Sequence, residues 1–155
     1  MSPQRIASTV RREVPSLRED ERLADAVARI VEVDAPALPV VDSEGRLLGI
    51  FGEREFIGAL FPGYLKTLGY AGFVPRSLDE ALEKRATCGG EPVGQHMNTD
   101  HIDVTEEFSD TELAEIFLHH RVLIIPIVDG GRVSGIVTRE DFTRALAQRL
   151  ITPPR

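Results

Sequence analysis

The stretch Leu38-Pro39-Val40-Val41-Asp42, a turn, then Gly45-Arg46-Leu47-Leu48-Gly49-Ile50 has a second copy further along the chain. It recurs as Ile125-Pro126-Ile127-Val128-Asp129, a turn, and Gly131-Arg132-Val133-Ser134-Gly135-Ile136. Each copy reads as an apolar strand, an Asp/Gly turn, a return strand and a charged helix start, which is a β-hairpin feeding a helix. Amphipathic segments precede both hairpins, Glu21 to Val31 and Ser109 to His120. Apolar residues recur there at helical spacing, Leu23, Ala26, Val27 and Ile30 in one and Leu113, Ile116 and Phe117 in the other. A duplicated unit buries its apolar face against its twin, and the junction of two such units forms a cleft. The expected architecture is therefore α/β (α+β), two β-α-β-β-α repeats packed sheet to sheet about a pseudo-twofold axis.

Composition narrows the function classes. The chain has 155 residues, 42% hydrophobic and 28% charged, enough for one domain or two closely packed halves. A formal charge of −7 with scattered basic residues argues against nucleic-acid binding, which needs clustered Lys and Arg. Cys88 is the single cysteine, which rules out a disulfide framework and a multi-cysteine zinc site. The first residues carry no apolar run of signal-peptide length, and Val122 to Val128 is far too short to span a bilayer. A cytoplasmic protein with no membrane insertion is expected.

Three segments follow: a first repeat over 1–60, an inter-repeat insertion over 61–92 and a second repeat over 93–155. The insertion holds Phe61, Tyr64, Leu65, Tyr70 and Phe73, a short capped helix at Ser77 to Leu82, and Cys88 as an ordinary loop thiol. It is too apolar for a flexible linker and covers the core or meets another chain. In the second repeat, Ser109 or Asp110 caps one helix, and Thr138 caps the last. Asp141, three residues on, completes the spacing of a capping box with Asp in place of Glu.

The string Ile125-Pro126-Ile127-Val128-Asp129, with Gly131 to Asp141 and the lead-in Val93-Gly94-Gln95-His96-Met97, resembles a CBS domain. Two copies resemble a CBS pair, or Bateman module, over nearly the whole chain apart from the insertion and tails. The resemblance implies a regulatory, non-catalytic module that binds an adenosine-containing ligand: AMP, ADP, ATP or S-adenosylmethionine. The family's Gly-hydrophobic-x-Thr/Ser-x-x-Asp element falls on Gly135, Ile136, Thr138 and Asp141. An acid on a helix's first turn can accept both ribose hydroxyls, and a capping hydroxyl with the helix N-terminus can meet phosphate. Arg139 adds charge there. Adenine is expected beside Asp100, His101 and Ile102, between Ile124 and Pro126. The plain alternative is that Thr138 and Asp141 only cap a helix.

The first copy departs from this element. Gly52 stands for the hydroxyl residue and Glu55 for the aspartate, so a second site that is weak, empty or adapted to another ligand is expected there. Arg54 either crosses the pair toward bound phosphates or is a solvated surface residue. Binding is accordingly expected to depend on Asp141 more than on Glu55. The four histidines make no metal pattern, since His119 and His120 diverge by about 100° on a helix. No nucleophile, base and orienting group assemble into a catalytic set. The alternative to nucleotide sensing is a structural or interaction module with vestigial sites. A homodimer is expected from the apolar residues Phe56, Ile57, Leu60, Phe142, Leu146 and Leu150, together with a regulated partner protein.

Overall fold

A computed structural model of the chain describes residues 6–61, 79, 83 and 85–152. The expected aromatic cluster from Tyr64 to Phe73 and, apart from Asp79, which is helical, the expected helix at Ser77–Leu82 lie outside the described residues. A short helix α1 (Ile6–Val10) precedes the first repeat: β1 (Leu17–Arg18), α2 (Leu23–Val33), β2 (Ala37–Val41), β3 (Leu47–Gly52) and α3 (Glu53–Leu60). The second repeat is β4 (Val104–Thr105), α4 (Asp110–His119), β5 (Ile124–Asp129), β6 (Arg132–Thr138) and α5 (Arg139–Ile151). Each repeat forms its own three-stranded sheet, in the orders β1-β2-β3 and β4-β5-β6.

The hairpins form where the turn chemistry directs. Gly130 and Gly131 both adopt positive φ, 60° and 85°, the geometry that a two-residue type I′ loop requires. In the longer first turn the Asp42 carboxylate accepts the Glu44 and Arg46 N–H groups at 2.8 and 3.0 Å, which holds its pKa below the usual carboxyl range. All five residues of β2 are buried, because both faces of its sheet are covered. One face packs on its own helices through Leu17, Leu23, Ala26, Leu38, Val40 and Phe51. The second repeat does the same with Val104, Phe108, Leu113, Ile125, Ile127, Val137 and Phe142. Between the sheets lies a third cluster of Ala37, Ile50, Ile124 and Ile136.

Equivalent residues of the two repeats meet one another, as twofold symmetry demands. Arg46 bridges Arg132, the Leu47 N–H donates to the Gly131 carbonyl at 3.1 Å, and the Val133 N–H to the Gly45 carbonyl at 3.3 Å. The repeats also exchange their lead-ins. Arg12, ahead of the first repeat, pairs with Ile136 of the second through N–H···O bonds of 2.9 Å in both directions. Asn98, ahead of the second repeat, pairs with Ile50 of the first at 2.8 and 2.9 Å. Two glycines make this crossing possible. A Cβ on Gly135 would stand 3.1 Å from the Arg12 carbonyl, and one on Gly49 would stand 2.8 Å from that of Asn98.

After the insertion the chain clips back onto the first repeat. The Val93 and Gly94 N–H groups donate to Glu21 and Glu19, each at 2.8 Å. Glu91 receives the Arg85 guanidinium and lies against His96, both at 2.7 Å, and these partners hold its carboxyl below the usual range. Cys88 differs from the expected loop thiol. It sits in a short 3-10 turn and is buried against the first core.

Candidate functional site

Because the lead-ins cross, each cleft takes its helix N-terminus from one repeat and its lead-in from the other. The α2–β2 or α4–β5 loop comes from the same repeat as the lead-in. The first cleft holds the Gly52–Glu55 turn with Asn98, Asp100, His101, Ile102 and the loop from His120 to Leu123, around a cavity of about 290 Å3. The second holds the Thr138–Asp141 turn with Arg12 and the Val33–Asp34 end of α2.

This arrangement divides the residues expected to form one site. Asp100, His101, Ile102 and Ile124 line the cavity with Arg54 and Glu55, on the opposite side of the pair from Asp141. The physical reason is the Asn98–Ile50 pairing, which carries the second lead-in past the first repeat's return strand. Pro126 is buried opposite Ile136 in the hairpin. Gly135 serves the close approach of the first lead-in, and Ile136 is core. Arg139 is exposed and donates its N–H to the Leu123 carbonyl at 2.9 Å, mirroring Glu53 to Pro36 at 3.0 Å.

Each helix start keeps a different half of a capping box. Thr138 is buried, and its hydroxyl accepts the Asp141 N–H at 3.0 Å. Asp141 Oδ2 lies 3.8 Å from Arg12 Nη1. In the first repeat the carboxylate half is present instead, with Glu55 Oε1 accepting the Gly52 N–H at 2.9 Å. Burial pushes the Glu55 carboxyl above its ordinary range, against the pull of that N–H. Gly52 cannot carry the missing hydroxyl as the turn stands. A Cβ there would meet the Pro36 carbonyl and the Ala37 side chain at 2.4 Å.

Arg54 does cross the pair, but to a backbone acceptor: its Nη1 donates to the Arg121 carbonyl at 3.0 Å. His101 lines the cavity with its ring. Its side chain is 15% exposed, Nε2 lies 3.6 Å from Asp103, and Nδ1 is buried with no hydrogen-bond partner. Ala37, Ile50 and Leu123 add apolar wall, and His120 and Arg121 add polar rim. Sequence reading did not single out these last five residues for the site. The signal available was the paired position of Asn98 and Arg12 in the two lead-ins. Among the described residues, no group of three His, Cys, Asp or Glu side chains is placed to hold a metal ion.

Comparison with known proteins matches the CBS domain model twice, over residues 6–62 and 93–148. The chain belongs to the CBS domain family. MJ1404 of Methanocaldococcus jannaschii, an uncharacterized protein, is 26% identical over 95% of this chain, which spans 33% of that protein's length. Inosine-5'-monophosphate dehydrogenase of Streptococcus pyogenes is 37% identical over 36% of this chain, a stretch that is 12% of the enzyme. Among solved structures, the CBS-pair protein CBSX2 of Arabidopsis thaliana superposes with a TM-score of 0.73 at 19% identity, covering 97% of this chain and 99% of that one. CBSX2 has also been solved in complex with AMP, with a TM-score of 0.68 at 20% identity over 94% and 98% of the two chains. The CBS pair fold of this chain is thus shared over nearly its full length.

Proposed function

We propose that this CBS pair is a regulatory, non-catalytic module that binds an adenosine-containing nucleotide and binds it first in the cleft of the first repeat. The observation that carries this reading is the cavity of about 290 Å3 walled by both repeats, with an apolar floor, a half-buried carboxyl and a buried unpartnered ring nitrogen. A planar base fits against Ile50, Ile102 and Ile124 beside the His101 ring, whose buried Nδ1 becomes its hydrogen-bond partner when the ring turns toward the cavity. An unsatisfied buried polar atom costs about 1–3 kcal/mol, so a ligand that partners it gains that much. Glu55 suits the ribose hydroxyls, and Arg54 and Arg121 suit phosphate at the rim. The AMP complex of CBSX2 supports the ligand class. The second cleft, with Thr138, Arg139 and Asp141, is its counterpart site.

A ligand that bridges the repeats would tie their relative placement to metabolite level, which a regulated partner protein could read. Exposed apolar residues favour self-association as well. Val31 and Leu118, at equivalent positions of α2 and α4, are 74% and 78% exposed, and Leu150 is 84% exposed. Ile57 and Leu146 join them, whereas Phe142 is buried and Phe56 and Leu60 pack on the first core. The dimer surface proposed is therefore narrower than the helices' apolar content implies. No helix among the described residues is long and apolar enough to cross a membrane.

Calorimetry with AMP, ADP, ATP and S-adenosylmethionine tests the reading. At least one of these is expected to bind, and Glu55→Ala to weaken it tenfold or more, while Asp141→Ala leaves it within twofold. Failure of all four ligands to bind would overturn the proposal, and a larger loss from Asp141→Ala would move the site to the second cleft.

A further inference from the structure

The two clefts are built alike but differ in what their lead-ins put into them. Arg12 and Asn98 occupy equivalent points, each paired through its backbone with the return strand of the opposite repeat. Asn98 is short, and its Oδ1 turns back to accept the Asp100 N–H at 2.9 Å, leaving the first cavity open. Arg12 is long, and its guanidinium crosses the second cleft. Nη2 donates to the Val33 carbonyl at 3.0 Å and to that of Asp34 at 3.3 Å, and Nη1 donates to Asp34 at 3.3 Å. On its other side Nη1 lies 3.8 Å from Asp141 Oδ2.

These acceptors invite a cation. Val33 is the last residue of α2 and Asp34 its cap, so their carbonyls stand at the negative end of the helix dipole. Asp34 itself adopts a left-handed φ of 57°, which ends the helix there. A guanidinium spanning two backbone carbonyls and approaching a carboxylate offers the donors that an adenosine ligand would bring, an exocyclic amine and ribose hydroxyls. The Arg12 side chain keeps 30% of its surface exposed, so it has a path by which to swing out into solvent.

We infer that Arg12 is an internal occupant of the second cleft, and that this cleft accepts a nucleotide only when Arg12 withdraws from Asp34 and Asp141. The inference rests on the nucleotide-binding reading above and adds an order of filling: the Glu55 cleft first, the Asp141 cleft second. The pair therefore responds to nucleotide in two ranges of concentration, although both clefts come from one repeat unit.

AMP titration of the full chain by calorimetry tests this with Arg12→Gln and Arg12→Met, whose folding is checked by melting. The wild type is expected to take up one equivalent at low AMP. Each variant is expected to take up two, with affinities within about tenfold, and Asp141→Asn in the same background should remove the second. One equivalent in both wild type and variants, or two of similar affinity in the wild type, would overturn the role of Arg12. No binding by the wild type, with one Asp141-dependent equivalent in the variants, would uphold Arg12 and reject the open first cleft. No binding anywhere would reject the nucleotide reading itself, and the Arg12 inference with it. Should neither variant fold, the side-chain Nε–Hε resonance of Arg12 in the wild type provides the same test. It is expected to hold still through the first equivalent of AMP and to move only with the second. Movement with the first equivalent would contradict the inference.

Discussion

The two clefts are two solutions from one repeat unit. In the second, a hydroxyl caps the helix, the carboxylate is left 3.8 Å from an arginine, and that arginine spans the cleft. In the first, the hydroxyl is missing, the carboxylate caps the helix, and the space is open. The family motif and the cavity walled by the crossed lead-in thus lie on opposite sides of the pair, and the space beside Asp141 opens instead between α1 and α5. A turn that matches the family pattern need not be the one whose cavity is available, because availability is set by a residue from the other repeat.

The largest expected effect comes from trying to make the first turn resemble the second. Gly52→Thr would restore the hydroxyl but place its Cβ at 2.4 Å from the Pro36 carbonyl and the Ala37 side chain. Such overpacking costs about 1–3 kcal/mol, and the backbone contact puts this variant near the upper end. Urea denaturation is expected to show that loss, together with weaker AMP binding. A variant of unchanged stability would mean that the turn at Gly52 yields easily and that the difference between the clefts lies elsewhere.

The fold was legible because its signals are local and doubled. Pro39 and Pro126 sit at matching points of two apolar strands, and the Asp42 and Asp129 turns fix hairpins of the expected kind. Ser109 and Thr138 cap the helices as their positions imply. The grouping of the site residues was less legible. Asp100, His101 and Ile102 belong to the same repeat as Thr138 and Asp141, and nothing local in them says that Asn98 pairs with Ile50 across the axis. That pairing depends on Gly49 and Gly135, whose missing side chains admit the crossing strands. A glycine in such a motif therefore carries a long-range packing requirement as well as a ligand-facing one. Arg12 was invisible as a site residue for the same reason, since 129 positions separate it from Asp141 in the numbering.

A smaller effect is expected in the pH dependence that the first cleft contributes. Glu55 holds its proton more tightly in the folded protein than in the unfolded chain, because burial disfavours its charge. A raised acid favours the folded state at low pH and takes that advantage away as pH rises through the folded value. The ligand-free protein is therefore expected to lose a fraction of its stability above the ordinary carboxyl range of about pH 4. Glu55→Gln should flatten that part of the profile. An identical profile in the variant would remove Glu55 as its source.

The central claim is that each cleft is assembled across the repeats, so that His101 works with Glu55 and not with Asp141. A double-mutant cycle on AMP affinity, measured by calorimetry, tests it directly. Glu55→Gln and His101→Ala are expected to be non-additive, with a coupling of about 0.5 kcal/mol or more, while His101→Ala and Asp141→Asn should add independently. Coupling of His101 to Asp141, with additivity toward Glu55, would contradict the crossed arrangement of the sites.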